Sequence, residues 1–200
     1  MKKTEILSLP KIQFAHAFEA DKYSNSFSPN NNFIEVTYMK QGETTLLHGN
    51  DVYTAREGDI LCILLNSEIA VKSDSFHCHH TVGAEVLWTQ TESENALHLP
   101  LITKASAATE EITALIDSFI YDPCLYNDSY AKAATVFMNI LCKINSIYLE
   151  SEASVPGSVH MLSIRAKKYI HENLHKGITR KEVAVYLCIT PQYLFNVFNK

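Results

Sequence analysis

Near residue 105 the hydrophobic pattern of this chain changes period, and that change limits which architectures are open to it. Before it, FIEVTYMK, TTLLHG, VYTARE, DILCILL, IAVKS and HHTVGAEVLWT are short runs rich in β-branched and aromatic residues. Gly42, Gly49-Asn50 and Glu57-Gly58-Asp59 are turn signals between them. Short strands at regular spacing predict a sandwich or barrel. After the change, TEEITALIDSFIYDP carries Ile112, Leu115, Ile116, Phe119 and Ile120 at helical spacing. NDSYAKAATVFMNILCKINSIYLES repeats the pattern with Ala133, Val136, Phe137, Ile140, Leu141, Ile144 and Tyr148. Thr109 before two glutamates predicts the start of the first helix, and Pro123 its stop. A short loop makes the two an antiparallel pair. Their stripes close the core, or the second helix also forms a dimer seam. The pattern serves both readings equally.

Composition adds limits. Two hundred residues, 46% of them hydrophobic, suffice for one or two packed domains. The start, MKKTEILSLPKIQF, has no apolar run before its proline, so neither a secretory signal nor a membrane span is expected. Five scattered cysteines without a CxxC pair fit a reduced, cytoplasmic setting better than a disulfide framework or a zinc knuckle. The net charge of −5 is unevenly spread. From Ser163 onward seven basic residues face two acids, leaving +5 there and −10 before it. An acidic body joined to a basic end suggests that the end is offered to a polyanion.

EASVPGSV, residues 152–159, is small and bears Pro and Gly, the composition of a linker. Beyond it, Ile164, Tyr169, Ile170 and Leu174 supply the buried side of a helix that Gly177 is placed to end. Thr179 caps a short helix with Val183, Ala184 and Leu187, and a turn with Cys188 and Ile189 follows. Thr190 and Pro191 open a last helix whose Leu194, Val197 and Phe198 face inward. Two short helices about a tight turn, with small Ala184 where they cross, predict a helix-turn-helix.

Residues Tyr169-Ile170, Ile178-Thr179, Val183-Ala184, Leu187 and Thr190-Pro191-x-Tyr193-Leu194-x-x-x-Phe198-x-Lys200 resemble the first helix-turn-helix of AraC-type transcriptional regulators. The resemblance implies that the helix from Thr190 enters the major groove. Gln192, Phe195 and Asn196 would point outward, with Asn199 at the edge. Gln and Asn can read adenine and Phe can press on a thymine methyl. Arg180, Lys181 and Lys200 suit phosphates. The family carries a second helix-turn-helix, so the chain is expected to be a shortened form of such a regulator, weak on DNA by itself.

The same resemblance makes residues 1–104 a cupin-like sensor barrel or jelly roll, 105–151 a helical dimerisation segment, 152–162 a linker and 163–200 the first helix-turn-helix, an α+β chain overall. Gly58-Asp59 before ILCILL resembles the second cupin motif, and FIEVTYMKQGETTLL the strand pair of the first. Metal-binding cupins have histidines where Pro29, Asn31 and Ile69 stand, leaving Glu35 as the one retained ligand. A cupin enzyme and a metal or other cofactor are therefore not expected. The resemblance implies instead a small effector, sugars being common, with a homodimer on DNA and no membrane partner.

Strand parity divides FHCHHTVGAEVLW. Phe76, Cys78, His80, Val82, Ala84, Val86 and Trp88 form an apolar, inward face; His77, His79, Thr81, Gly83 and Glu85 form the other. His77 and His79 are solvated, or hold a zinc with Glu85 or a residue from elsewhere. His80, among apolar neighbours, meets a backbone group or a bound ligand. The effector pocket is accordingly expected at His80 and Trp88, with Glu35, Thr37 and Met39 from a second strand face.

Overall fold

The computed structural model describes residues 3–30, 32–122, 124–127, 129–154 and 159–198. The chain divides into two compact units, Met1–Tyr148 and Leu149–Lys200.

In the first unit the β-rich runs become β1 (Lys3–Ile6), β2 (Lys11–Ala20), β3 (Tyr23–Phe27), β4 (Phe33–Gln41), β5 (Glu43–His48) and β6 (Asp51–Arg56). They continue as β7 (Ile60–Leu64), β8 (Ile69–Ser73), β9 (His77–Glu85), β10 (Trp88–Thr91) and β11 (Ile102–Thr103). One sheet has the order β11-β7-β4-β9-β2, a second β3-β8-β5-β6, and β1 pairs with β10 as a ribbon. Every pairing is antiparallel. The two larger sheets pack face to face through Met39, Leu61 and Ile63 on one side and Leu46, Ala55, Ile69 and Val71 on the other.

This is an open sandwich: among the described residues no ladder joins the two sheets into the closed barrel expected. β4 and β5 were the expected strand pair, yet they lie in different sheets. Gly42 is the reason. It holds φ +79, and a Cβ there would stand 2.4 Å from the Phe76 carbonyl oxygen. The chain thus turns tightly under the start of β9 and crosses to the other sheet instead of folding back as a hairpin.

The helical stretch forms α1 (Glu110–Tyr121), a short α2 (Cys124–Asn127) in the connection, and α3 (Tyr130–Ser154). The central strands β4, β7 and β9 send alternate residues to opposite sides. Ile34, Val36, Ile60, Cys62, Val82 and Ala84 meet Ile112, Ile116 and Phe119 of α1 and Phe137, Ile140, Leu141 and Ile144 of α3. The stripes of both helices are thus buried against this sheet within a single chain. Burying side chains of this size contributes roughly 1.5–3 kcal/mol each. Thr109 precedes α1 as expected, although its side chain bonds to Ser106 and not to the helix.

In the second unit, α4 (Val159–Asn173) and a 3-10 turn end at Gly177. Thr179 and Glu182 then exchange side-chain bonds to each other's backbone at the start of α5 (Arg180–Tyr186). The turn runs through Cys188, at φ 57, and Ile189 donates its N–H to the Ala184 carbonyl at 3.0 Å. α6 (Pro191–Phe198) follows, with Thr190 Oγ1 accepting from the Tyr193 N–H at 3.1 Å. Leu162, Ala166, Val183, Ala184, Leu187 and Leu194 form the core.

Three expectations here change. The proposed linker over 152–162 is helical at both ends, since α3 runs to Ser154 and α4 begins at Val159. Ile164 and Leu174 are exposed, because α4 turns Leu162 and Ala166 to the core instead. Phe198 is also exposed: Leu194 already fills the space over α5. No described helix is long and apolar enough to cross a membrane.

Candidate functional site

β9 lies between β4 and β2, so its inner face shares a surface with both. Register sets Glu35 beside Gly83, Thr37 beside Thr81 and Met39 beside His79. On the other flank Phe14, His16 and Phe18 stand beside Gly83, Thr81 and His79. Gly83 leaves room for two rings at its crossing: a Cβ there would lie 2.5 Å from the Phe14 ring and 2.7 Å from the Phe33 ring, so both would have to shift. Between the sheets a cavity of about 30 Å³ remains, lined chiefly by Tyr23, Phe27, Glu35, Thr37, His77 and His79. That is room for roughly two water-sized bodies. A sugar ring does not fit this volume, and typical ligand pockets are about ten times larger.

The polar groups here are strained by burial. Burial pushes the Glu35 carboxyl up to about 7, and the Thr37 hydroxyl, donating at 3.2 Å, only partly opposes it. Thr37 and Thr81 share a hydroxyl bond of 2.9 Å. His79 is pushed down to about 4, first by burial and then by the neighbouring His77, His16 and His80. Burial also lowers His16. His77 is 1% exposed and neither ring nitrogen has a hydrogen-bond partner. Its ring stacks on His79 with centroids 5.3 Å apart.

These positions revise the expected pocket. Glu35, Thr37 and Met39 do line one cavity, but His80 and Trp88 do not join them. The face containing Val82 and Ala84 is covered by the helices, and Trp88 belongs to that layer, on a separate strand beyond a break at Val86-Leu87. His80 is buried there with its Nδ1 2.6 Å from Asp117 Oδ1 of α1, and Tyr38 and Tyr121 stand edge-on to its ring. The partner of its Nδ1 is a helix carboxylate and not a backbone group. His77 is correspondingly interior and His79 half-buried. The available signal was the helical stripes: two amphipathic helices need an apolar sheet face, and they take the one containing Val82 and Ala84.

A zinc shared with Glu85 is ruled out by reach, since Glu85 stands six residues from His79 on the same strand, about 20 Å away. Among the described residues no three His, Cys, Asp or Glu side chains are grouped to hold a metal. Cys62, buried and pushed up to about 12, is chemically quiet.

In the second unit, Arg180, Lys181, Thr190, Gln192, Phe195 and Asn196 are all exposed. Gln192 donates to Asn196 Oδ1 at 3.4 Å along one side of α6, and Arg180 lies over the Phe195 ring at 5.7 Å. Asn199 and Lys200, and also Asn31, fall outside the described residues.

The sequence matches no family model and no curated protein. Among solved structures, the AraC-like transcriptional activator CuxR is similar over 99% of this chain and 74% of its own, at 14% identity and a TM-score of 0.44. A cupin domain of an XRE family transcriptional regulator from Enterobacter cloacae matches 37% of this chain and 92% of its own, at 15% identity and a TM-score of 0.30. An HTH_3 family transcriptional regulator from Vibrio cholerae matches 38% of this chain at 13% identity and a TM-score of 0.31, and only 49% of its own length is spanned. Likenesses this distant assign no activity.

Proposed function

We propose that this chain is a ligand-responsive transcription regulator of AraC type, working in the cytoplasm as a homodimer and catalysing no reaction. The sandwich holds a small effector in the cavity beside Glu35, and the second unit binds DNA through α5 and α6 as a helix-turn-helix. A ligand that favours one arrangement of the dimer changes how two DNA-binding units meet their half-sites.

One observation carries the DNA reading: α6, opened by Thr190 and Pro191, presents Gln192, Phe195 and Asn196 together on an exposed edge, with Arg180 and Lys181 exposed at the start of α5. Amide side chains in that position pair with adenine, and the cations hold phosphates. The test is selection of sites from a randomised duplex library, followed by a mobility shift. A preferred sequence is expected, with Gln192→Ala and Asn196→Ala relaxing the preference at single base pairs by about 1–3 kcal/mol each. Arg180→Ala should weaken all sequences alike. Recovery of no preferred site overturns the reading.

A second reading has one observation in its favour. Ile170, Leu174, Ile178, Val183, Leu194 and Phe198 line an open apolar groove on the second unit, as suits a chain that has lost DNA binding and acts by joining an intact regulator. Co-purification with such a regulator, together with no site selection, would favour it.

A further inference from the structure

Phe195 is exposed on α6, one turn from Gln192 and next to Asn196, on the edge proposed to meet DNA. Its ring carries no hydrogen-bonding group, so it cannot read a base edge as the two amides do. Two tasks remain for it. It presses on a thymine methyl, or it serves a neighbouring side chain of its own chain.

The second unit supplies such a neighbour. The Arg180 guanidinium lies over the Phe195 ring, 5.7 Å from the centroid, within the range where a ring face attracts a cation. Arg180 opens α5 and makes no ion pair among the described residues. The acid nearest to it in sequence, Glu182, is engaged elsewhere. It accepts from the Thr179 N–H at 2.7 Å and the Thr179 hydroxyl at 2.8 Å, and these bonds hold its carboxyl below the usual carboxylate range. Arg180 and Phe195 also wall the groove of Ile170, Leu174 and Ile178, which gives the arginine stem apolar surface to lie along. A long side chain otherwise samples many rotamers. Holding it over a ring removes part of that freedom before any phosphate arrives.

We propose that Phe195 is a positioning residue, whose ring holds the Arg180 guanidinium ready for a phosphate and does not read a base. The inference rests on the reading of α5 and α6 as a DNA-binding helix-turn-helix and assigns the task of that phenylalanine. A phosphate contact carries no sequence information, so loss of the ring weakens all sequences alike. The ring acts only through Arg180, so its effect disappears once Arg180 is gone. A thymine contact behaves oppositely on both counts: it is confined to one base pair and independent of Arg180.

The experiment is a mobility-shift series with the full chain on the selected duplex and on an unrelated one. It compares the parent with Phe195→Leu, Phe195→Tyr, Arg180→Ala and the double variant Phe195→Leu with Arg180→Ala. Phe195→Leu should weaken both duplexes by the same factor, about two- to fivefold, and Phe195→Tyr, which keeps a ring, should match the parent. Arg180→Ala should lower the slope of log affinity against log salt by about 1, and adding Phe195→Leu should then change nothing further. Replacing single thymines by uracil, which lacks the methyl, should affect the parent and Phe195→Leu equally. In the free chain, the Arg180 Nε–H resonance should carry a ring-current shift that Phe195→Leu abolishes and Phe195→Tyr keeps. A loss confined to the selected duplex, a loss that persists beside Arg180→Ala, or a uracil penalty found only in the parent overturns the proposal and leaves the DNA reading intact. An Arg180 resonance indifferent to Phe195→Leu overturns it equally. A parent that selects no site overturns the DNA reading and the proposal with it.

Discussion

The two faces of β9 bury histidines under opposite conditions. On the outer face His80 sits beneath α1 and meets Asp117 at 2.6 Å, in a largely apolar layer where Trp88 Nε1 is buried without a partner. On the inner face His77 is equally buried, yet neither ring nitrogen is satisfied, and farther along the same face Glu35 has only a hydroxyl for company. The outer face satisfies its histidine internally and serves stability. The other leaves its own open, and an unsatisfied buried group is where a fold has room for a ligand. The comparison predicts that changes on the outer face cost stability, whereas removing charge from the inner face restores it.

The largest effect should come from the outer face. Phe137 of α3 is fully buried among Val36, Val82 and the α1 stripe. Phe137→Ala should lower the unfolding free energy by about 3–5 kcal/mol, measured by chemical denaturation of the full chain. A loss below 1 kcal/mol would show that the helices are a loose cover and not half of the core.

Next comes the inner face, with the sign reversed. The folded-state value of Glu35 is raised from 4.5 to about 7, so the folded form holds the proton more tightly, and stability falls as pH rises from about 4.5 through 7. His79 is lowered from 6.5 to about 4, so its contribution is lost as pH falls through the same range. Between about 4.5 and 6.5 the two slopes oppose one another, and the parent chain should show a nearly flat profile there. Glu35→Gln breaks the balance: its gain over the parent should be near zero at pH 4.5 and at most about 3 kcal/mol at pH 8. It should also expose the acid limb belonging to His79. A variant no more stable than the parent at pH 8 would mean that the inner face is already compensated.

Much of this layout was legible in the sequence, and the exceptions share a cause. The period change near residue 105, the stripes of α1 and α3, Thr179 and the Thr190-Pro191 start all report local physics, and each stands where the pattern predicted. The sequence also showed that His80 differs from His77 and His79, because alternation along a strand is local too. What it did not show was which face looks inward. β9 is buried on both sides, and two buried faces look alike until the α1 and α3 stripes are assigned a partner. Gly42 was read as a turn, correctly, but sending β4 and β5 to different sheets depends on Phe76, 34 residues away in the chain. Asp117 was invisible as the partner of His80 because it stands on the polar side of an amphipathic pattern.

That pairing gives the smallest effect and the finest test of the comparison. Asp117 is partly exposed while His80 is 1% exposed, so removing the carboxylate strands a buried nitrogen that water can only partly reach. Asp117→Ala should cost about 1–2 kcal/mol, within the range for leaving a buried donor unpaired. Asp117→Asn keeps an oxygen acceptor at the same reach, so it should lose less, about half. If both variants cost the same, the charge of Asp117 matters more than its hydrogen bond. If neither costs anything, the outer face tolerates an unpartnered histidine just as the inner face does, and an unpartnered His77 would no longer set the cavity apart as a place built for something else.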